Sequence, residues 1–165
     1  MTKASTSLKP SHHARHGGHR RALLKLDFQQ RAAILERRSP STSATTKEPL
    51  YADLGPHRRA TRNDGWIDIE GGSGTLFAYA SVGSNELPSG NLVHEGPAMT
   101  LGKKGGFAGT HILVPRGGVA VHINAFNFPV WGLLEKFAPS FLASMPCIGK
   151  PATATSYLTE AAGAA

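Results

Sequence analysis

Residues 122–161 constrain the fold of this chain more than any other stretch of its sequence. The segment HINAFNFPVWGLLEKFAPSFLASMPCIGKPATATSYLTEA reads as a strand, a tight loop, a helix, a second strand and the start of another helix. Two strands that are joined through a helix run parallel, and their crossover is right-handed by default. The pattern therefore predicts an α/β fold in which the segments NAFNFP and KPATA leave the same edge of a sheet.

The length and composition suit one globular domain. The chain has 165 residues and a mass of 17.4 kDa, which is enough to bury a real core. No apolar run is long enough to cross a bilayer, so no membrane association is expected. Cys147 is the single cysteine, so the chain has no internal disulfide. These features predict a cytoplasmic protein in a reducing compartment.

The net charge of +7 at first suggests a nucleic-acid partner, but its distribution argues against one. Residues 1–60 hold twelve Lys and Arg against four Asp and Glu, whereas residues 61–165 hold six against seven. The excess is concentrated in the part of the chain with the weakest pattern, and no aromatic side chains alternate with the basic ones near the start. A solvated basic arm is the simpler interpretation, and nucleic-acid binding is the less favoured alternative.

The first sixty residues divide into two predicted regions. Residues 1–20 are polar and aperiodic and are predicted to be a disordered basic tail. Its histidines could hold a metal only adventitiously, since no carboxylate or cysteine completes a site, and no metal centre is predicted. Residues 21–60 form a disrupted helical region: Asp27 is expected to cap a helix over FQQRAAILE, after which the pattern is lost at RRSPSTSATTKEP.

Regular patterning returns over residues 61–165. The segment DGWIDIEGGSGTLFAYASVG predicts an amphipathic helix despite its glycines. GTHILVP and GVAVHIN are predicted strands on either side of the turn 116–118, PCIGKPA is a predicted short buried strand, and TSYLTEAAGAA begins a further helix.

Two residues stand out at the predicted strand ends, where ligands bind in open α/β sheets. Lys150 follows a strand at the rim of the sheet, where its ammonium can reach a ribose or a phosphate. Asn127 lies between two aromatic residues, and a fixed amide donor aimed at a carbonyl is one half of an oxyanion hole. The alternative for Asn127 is that it caps the helix that begins near Pro129.

The same forty residues resemble the aldehyde dehydrogenase superfamily, in which an Asn-Phe-Pro segment precedes a helix and a strand ending in Lys-Pro-Ala or Lys-Pro-Ser. With INAFNFP, the upstream RNDGWIDIEGGSGTLFAYAS and the downstream KPATATSYLTEA, the chain resembles the branch linked to ring cleavage in bacterial phenylacetate and benzoyl-CoA degradation. The resemblance covers residues 61–161 continuously and residues 23–36 more weakly. It implies that residues 61–165 are an incomplete, Rossmann-like cofactor-binding domain.

The resemblance also implies roles for individual residues. Asn127 would be the oxyanion-hole amide, and Lys150 would contact the adenosine ribose. Thr153, small and neutral, would leave room for a 2′-phosphate, so NADP is favoured over NAD. Ser144 and Gly149 depart from the family pattern, which has glycine at the first position and an aliphatic residue at the second. The implied cofactor-binding residues are Ile123, Asn124, Ala125, Phe126, Lys150, Ala152 and Thr153.

Some of the family's chemistry is not found in these 165 residues. The nucleophilic cysteine, the general-base glutamate and the glycine-rich turn under the pyrophosphate lie further along the family's sequences, and Cys147 reads as a small strand hydrophobe. The expectation is the front part of an NAD(P)-dependent dehydrogenase of an aldehyde or acyl-CoA semialdehyde, inactive alone and weak in cofactor binding. Family members oligomerise, and the phenylacetate member carries a C-terminal hydratase-like domain.

The patternless stretches are consistent with small compensated frameshifts. Permitted codons for ERRSPSTSATTKE and DLGPHRRA, read in a shifted frame, give ALAQYLSD and ISAHTGA, which continue the flanking patterns. Two other classes stay open on the sequence alone: a stand-alone nucleotide-binding or regulatory module, and the nucleic-acid-binding protein. A cofactor titration and the salt dependence of DNA binding distinguish these classes.

Overall fold

A computed structural model describes residues 11–38, 50–51 and 61–164. The expected disorder of residues 1–10 and the frameshift hypothesis for residues 39–49 and 52–60 lie outside the described residues. The described elements, in chain order, are α1 (Ser11–Leu24), α2 (Phe28–Arg37), α3 (Arg62–Asn85), β1 (Val93–Leu101), β2 (Phe107–Leu113), β3 (Ala120–Ile123), α4 (Trp131–Leu142), β4 (Cys147–Lys150), a 3₁₀ turn (Thr153–Thr155) and α5 (Ser156–Ala164).

Helix α1 differs from the prediction, since residues 11–20 were expected to belong to a disordered tail. The helix runs from Ser11 to Leu24, and the carbonyls of its last turn accept hydrogen bonds from Arg31 and Asn91. Leu23 and Leu24 are half-buried, and the Leu23 carbonyl accepts a hydrogen bond from Arg31 at 3.2 Å. A helix without an apolar stripe is stabilised by contacts at one end, which periodicity cannot reveal.

Helix α2 confirms the cap that the sequence predicted. The Asp27 carboxylate accepts a hydrogen bond from the Gln30 backbone N–H at 2.7 Å, and the Gln30 side chain accepts one from the Asp27 N–H at 3.0 Å. This reciprocal pair is a capping box, which satisfies two amide donors at the start of the helix. Phe28, Ala32 and Leu35 then face the core at helical spacing.

The glycine-rich helix α3 also confirms its prediction, and its glycines allow close packing. A Cβ on Gly83 would lie 2.7 Å from a Leu142 methyl and 2.8 Å from the Ala32 Cβ. On Gly72 it would lie 3.1 Å from the Trp131 Cα. The backbone of α3 therefore approaches α2 and α4 more closely than any larger residue would allow. The three helices enclose the core, to which α5 adds Leu158 and Ala162.

The described strands form two separate pairs. Strands β1 and β2 are antiparallel, with an irregularity between Glu95 and Met99. Strands β3 and β4 are parallel, with Ala120 opposite Cys147 and Ile123 opposite Lys150, as the β–α–β pattern predicted. The sequence did not indicate β1, because Gly96 and Pro97 interrupt its alternation and Gly96 has a positive φ of 81°.

The prediction that β4 is a buried strand is wrong. Among the described residues, α4 covers only one face of the β3–β4 pair, so Ile148 is 42% exposed and Lys150 is exposed. The outer face also exposes Val121 and Ile123. The strands have the apolar composition of a parallel sheet that is covered on both faces. That composition is the reason why burial of β4 was predicted.

Arg31 joins α2 to two other helix ends. Its side chain is fully buried, lies over the Phe28 ring at 4.8 Å and donates from Nε to the Leu142 carbonyl at 2.8 Å. Nη1 donates to the Leu26 carbonyl and to the Asn91 side chain, the latter at 2.8 Å. Burial lowers the pKa of the guanidinium, and the charge of Asp27 opposes that shift. Carbonyl dipoles therefore stabilise this buried cation.

Ser144 ends α4 in a conformation that favours glycine. Its φ is +59°, its N–H donates to the Phe141 carbonyl at 3.0 Å, and the Met145 N–H donates to the Ser140 carbonyl at 2.8 Å. This pair of bonds is the Schellman motif, whose left-handed position usually carries glycine. The Ser144 hydroxyl is also buried without a partner among the described residues. The glycine that the sequence resemblance leads us to expect at this position thus has a physical reason in this chain.

We expect Ser144→Gly to stabilise the protein by about 1 kcal/mol, because it removes both the left-handed strain and the unpaired hydroxyl. In a domain of this size the melting temperature should rise by about 2–4 °C. Thermal unfolding followed by circular dichroism measures the shift. Ser144→Ala is the matched control, since it removes the hydroxyl but keeps the strain and should gain less. A lower melting temperature for Ser144→Gly would contradict this account.

Candidate functional site

The candidate site lies at the edge of the sheet where β3 and β4 end. The Asn124 N–H, directly after β3, donates to the Lys150 carbonyl at 3.0 Å, so the last residue of β4 lies beside the first residue of the loop. Ile123 and Lys150 are opposite one another in the parallel register. The structure therefore brings the starts of the segments 124–129 and 150–154 to one edge, as the sequence predicted.

Asp68 fixes the end of the loop after β3 through hydrogen bonds to the start of α4. It is buried on α3, and its carboxylate accepts a hydrogen bond from the Trp131 N–H at 2.8 Å and one from the Val130 N–H at 3.3 Å. These are amides at the start of α4 that have no partner within the helix. The carboxylate also sits at the positive end of the helix dipole, which stabilises a negative charge there.

This contact shows that one of the two interpretations of Asn127 is wrong. No side chain within the segment caps α4: Val130 occupies the N-cap position without a side-chain bond, and the first amides bond to Asp68 instead. Asn127 lies in the exposed part of the loop, between Phe126 and Phe128. Phe128 packs edge-on against Trp131 with ring centroids 5.8 Å apart, which holds the end of the loop against α4.

The predicted cofactor residues divide by their burial. Asn124 is only 4% exposed, and Ala152 is half-buried. Ile123 is 71% exposed, and Phe126 is 68% exposed. The remaining members of the set, Ala125, Lys150 and Thr153, are exposed, and so is Asn127, the predicted oxyanion-hole residue. The edge thus presents apolar side chains, one amide and one ammonium to solvent, and it turns one amide inward.

His122 connects β3 to α4, next to this edge of the sheet. It is buried on β3 facing α4, and its Nε2 is 3.0 Å from the Ser140 hydroxyl. Its Nδ1 is buried without a partner among the described residues. Burial lowers the pKa of the imidazole, and the charge of Lys136 lowers it further. The neutral ring is therefore the form that packs between β3 and α4.

Cys147 lies at the opposite end of β4 from the candidate site. It is half-buried, and burial raises the pKa of its thiol. A thiol with a raised pKa is a weak nucleophile, because the thiolate is the reactive form. Its position at the first residue of β4 agrees with the interpretation of Cys147 as a small strand hydrophobe.

The described part of the chain shows neither a metal-binding cluster nor a membrane-spanning helix. No three His, Cys, Asp or Glu side chains in residues 11–38, 50–51 and 61–164 lie close enough to hold a metal ion. Among the same residues, no helix is long and apolar enough to cross a bilayer. A cleft of about 550 Å³ is lined by residues of α2, α4 and β4, among them Leu133, Phe137 and Cys147.

The chain is related in sequence to a curated protein. Over 140 residues the chain is 41% identical to the protein described as 3,4-dehydroadipyl-CoA semialdehyde dehydrogenase of Aromatoleum evansii. The match covers 84% of this chain and 27% of that relative, so the chain spans about a quarter of the relative's length. No family model matches the chain.

Sequence reasoning missed Asp68. It acts on amides 62 and 63 residues further along the chain, so no local spacing indicates its role. The available signal was an acid between Ile67 and Ile69, two of the apolar residues of the predicted helix. A buried carboxylate needs donors, and a neighbouring helix start is a common source of them.

We expect Asp68→Ala to destabilise the protein by about 1–2 kcal/mol, because two buried amides lose their acceptor. Asp68→Asn keeps an acceptor of the same shape and should lose less. Urea unfolding of both variants measures the difference. Equal losses in the two variants would show that the hydrogen bonds to α4 contribute little.

We expect stability to decline as the pH falls through and below 6.5, the ordinary pKa of histidine. The folded protein holds the pKa of His122 below that value, so the unfolded chain binds the proton more readily, and acid favours unfolding. Urea midpoints from pH 7.5 to pH 5 measure the slope. His122→Gln keeps a polar partner for Ser140 and should flatten the slope in this window. An unchanged slope would contradict the assignment.

Proposed function

Since the chain is related over 140 residues to an aldehyde dehydrogenase, we propose that residues 61–164 are part of the cofactor-binding domain of an NAD(P)-dependent aldehyde dehydrogenase. The observation that carries the proposal is the convergence of two segments at one edge. The loop with Asn127 and the strand end with Lys150 are joined by the Asn124–Lys150 hydrogen bond.

Asn127 is the proposed oxyanion-hole residue. Aldehyde oxidation passes through a tetrahedral adduct whose oxygen gains negative charge, and a fixed amide N–H that donates to this oxygen lowers the barrier by about 3 kcal/mol. Asn127 suits this role because Asp68 already occupies the helix start, which leaves the Asn127 amide outside the cap. The packing of Phe128 on Trp131 restrains the loop that carries it.

The exposed edge is chemically suited to a nicotinamide dinucleotide. Ile123 and Phe126 offer apolar surface for a nicotinamide ring, and Lys150 offers an ammonium for the ribose hydroxyls. Ala152 is half-buried beside Thr153, which lies exposed in the following turn and leaves space for a 2′-phosphate, so NADP is proposed over NAD. When bound, the cofactor would accept a hydride; the chain's own residues would orient it and exclude water from the adduct.

Cys147 is not the proposed nucleophile. It begins β4, whereas Asn127 and Lys150 lie beyond the carboxyl ends of β3 and β4. Its thiol pKa is raised by burial, so the reactive thiolate is disfavoured. Residues 1–165 contain no other cysteine, so these residues supply the oxyanion donor and part of the cofactor site, and not the thiolate.

The proposed substrate class is a semialdehyde carried on an acyl-CoA thioester. The support is the 41% identity to a relative described as a 3,4-dehydroadipyl-CoA semialdehyde dehydrogenase. The pathway context proposed for it is the degradation of aromatic compounds, as in phenylacetate catabolism.

The cofactor proposal can be tested on the 165-residue chain by following its melting temperature during titration with NADP⁺ and NAD⁺. We expect saturable but weak binding, with a dissociation constant of about 1 mM, because the proposed contacts come from one open edge and include no glycine-rich turn for the pyrophosphate. Lys150→Ala should weaken binding several-fold, and Thr153→Glu should weaken NADP⁺ more than NAD⁺. Lys103→Ala, an exposed lysine outside the edge, is the matched control. Equal effects of the two lysine variants would count against the site.

The assignment of Cys147 gives a separate expectation. The purified chain should not oxidise a short aldehyde in the presence of NADP⁺, because no thiolate lies near Asn127 to form the adduct. Absorbance at the wavelength of the reduced cofactor measures turnover. Activity that survives repurification and is lost in Cys147→Ser would show that the cysteine is catalytic after all.

A further inference from the structure

A cleft of about 380 Å³ lies where α4 ends. It is lined by residues from the start of α2, the second half of α3, the base of the β1–β2 hairpin and the segment that closes α4. None of these residues belongs to the proposed dinucleotide edge, which is formed by the segments before α4 and after β4. Small-molecule sites in proteins are commonly clefts of this size, mostly apolar with a few polar groups.

The lining of this cleft is apolar, and its one charged side chain is a cation. Phe28 and Tyr79 contribute aromatic rings, and Val82 and Val114 contribute aliphatic surface. Arg116 is exposed and lies at the mouth of the cleft. No Asp or Glu is among the described residues that line it, so an anionic group at the mouth meets no like charge from the lining.

A second cation lies behind the wall of the cleft. The buried guanidinium of Arg31 lies 4.8 Å from the centre of the Phe28 ring. Its Nε donates to the Leu142 carbonyl and its Nη1 donates to the Asn91 side chain, each at 2.8 Å. These three partners line the cleft and are neutral, whereas Asp27, the carboxylate that acts on this guanidinium, does not line it. A cleft with low-dielectric walls and charges of one sign favours a ligand of the opposite sign.

We propose that this cleft is a binding site for a small apolar carboxylic acid. The hydrocarbon part of the acid fills the apolar cleft, and the carboxylate lies at the mouth beside Arg116, whose guanidinium can donate two parallel hydrogen bonds to it. The buried Arg31 adds to the positive potential that the carboxylate meets. A chain of about eight carbons suits a cleft of this volume. The site does not depend on the proposed dehydrogenase function.

Titration of the isotope-labelled 165-residue chain with octanoate, and separately with octanol, tests the site by nuclear magnetic resonance. We expect octanoate to bind saturably, with a dissociation constant of about 1 mM, and to shift the backbone signals of Tyr79, Val82 and Val114. Octanol should bind at least about threefold more weakly, because it has no charge for the guanidiniums to attract. Apolar contact alone would favour octanol, whose head group costs less to desolvate. Equal or tighter binding of octanol would therefore overturn the proposal.

A charge variant tests the role of Arg116 at a position where the fold tolerates change, since the side chain is exposed. Arg116→Gln should weaken octanoate binding about 3–5-fold and leave octanol binding unchanged. Lys103→Gln, at an exposed lysine between β1 and β2 that does not line the cleft, is the matched control and should change neither. Equal effects of the two variants on octanoate would contradict the proposed carboxylate position.

A second pair of variants tests whether the ligand enters the cleft. Val114→Phe enlarges an exposed lining residue and should weaken the binding of both ligands, whereas Val121→Phe, at a similarly exposed valine on β3 outside the cleft, should not. Signal shifts confined to Val121 and Ile148 would show that octanoate coats the outer face of the β3–β4 pair instead. Unchanged cleft signals throughout the titration would show that another part of the chain closes the cleft in solution. Either result would overturn the proposal, and neither bears on the cofactor titration.

Discussion

Helix α4 is fixed at each end by a buried charge of the sign that its dipole stabilises. Asp68 accepts hydrogen bonds from the Val130 and Trp131 amides at the positive end, and Arg31 donates to the Leu142 carbonyl at the negative end. The two charges come from α3 and α2, so one helix is held by both of its neighbours. Since α4 connects β3 to β4, its position sets the register and spacing of the two strand ends that form the candidate site.

Close backbone packing makes these anchors possible. Gly72 lies one turn beyond Asp68, and a side chain there would meet the backbone of Trp131. Near the other end, Gly83 lies against Leu142, whose carbonyl bonds to Arg31. The glycines that weaken α3 as an isolated helix therefore allow the carboxylate and the guanidinium to reach the ends of α4 at hydrogen-bond distance. The glycines lower the helix propensity of α3 at the positions where its backbone packs closest to α2 and α4.

The sequence predicted the features that depend on residues close together in the chain, and it missed those that depend on residues far apart. The Asp27 cap, a helix over residues 64–83 and the parallel pairing of β3 with β4 depend on spacing within a few residues or on a single crossover, and all three were predicted. The Asp68 contact spans 62 residues, so no local spacing indicates which amides it binds. Strand β1 was not predicted because Gly96 and Pro97 break its alternation.

The two faces of the β3–β4 pair explain why the strands were predicted correctly and why the burial of β4 was not. The outer face carries Val121, Ile123 and Ile148, and the inner face carries His122, packed against α4. Asn124, which follows β3, is turned inward like His122. The usual arrangement of an apolar inner face and a polar outer face is reversed, so composition alone suggested a strand buried on both sides. Polar side chains on the packed face need specific partners, whereas apolar ones need only contact. Ser140 provides such a partner for His122, so the packed face of β3 is held to α4 by one side-chain hydrogen bond as well as by contact.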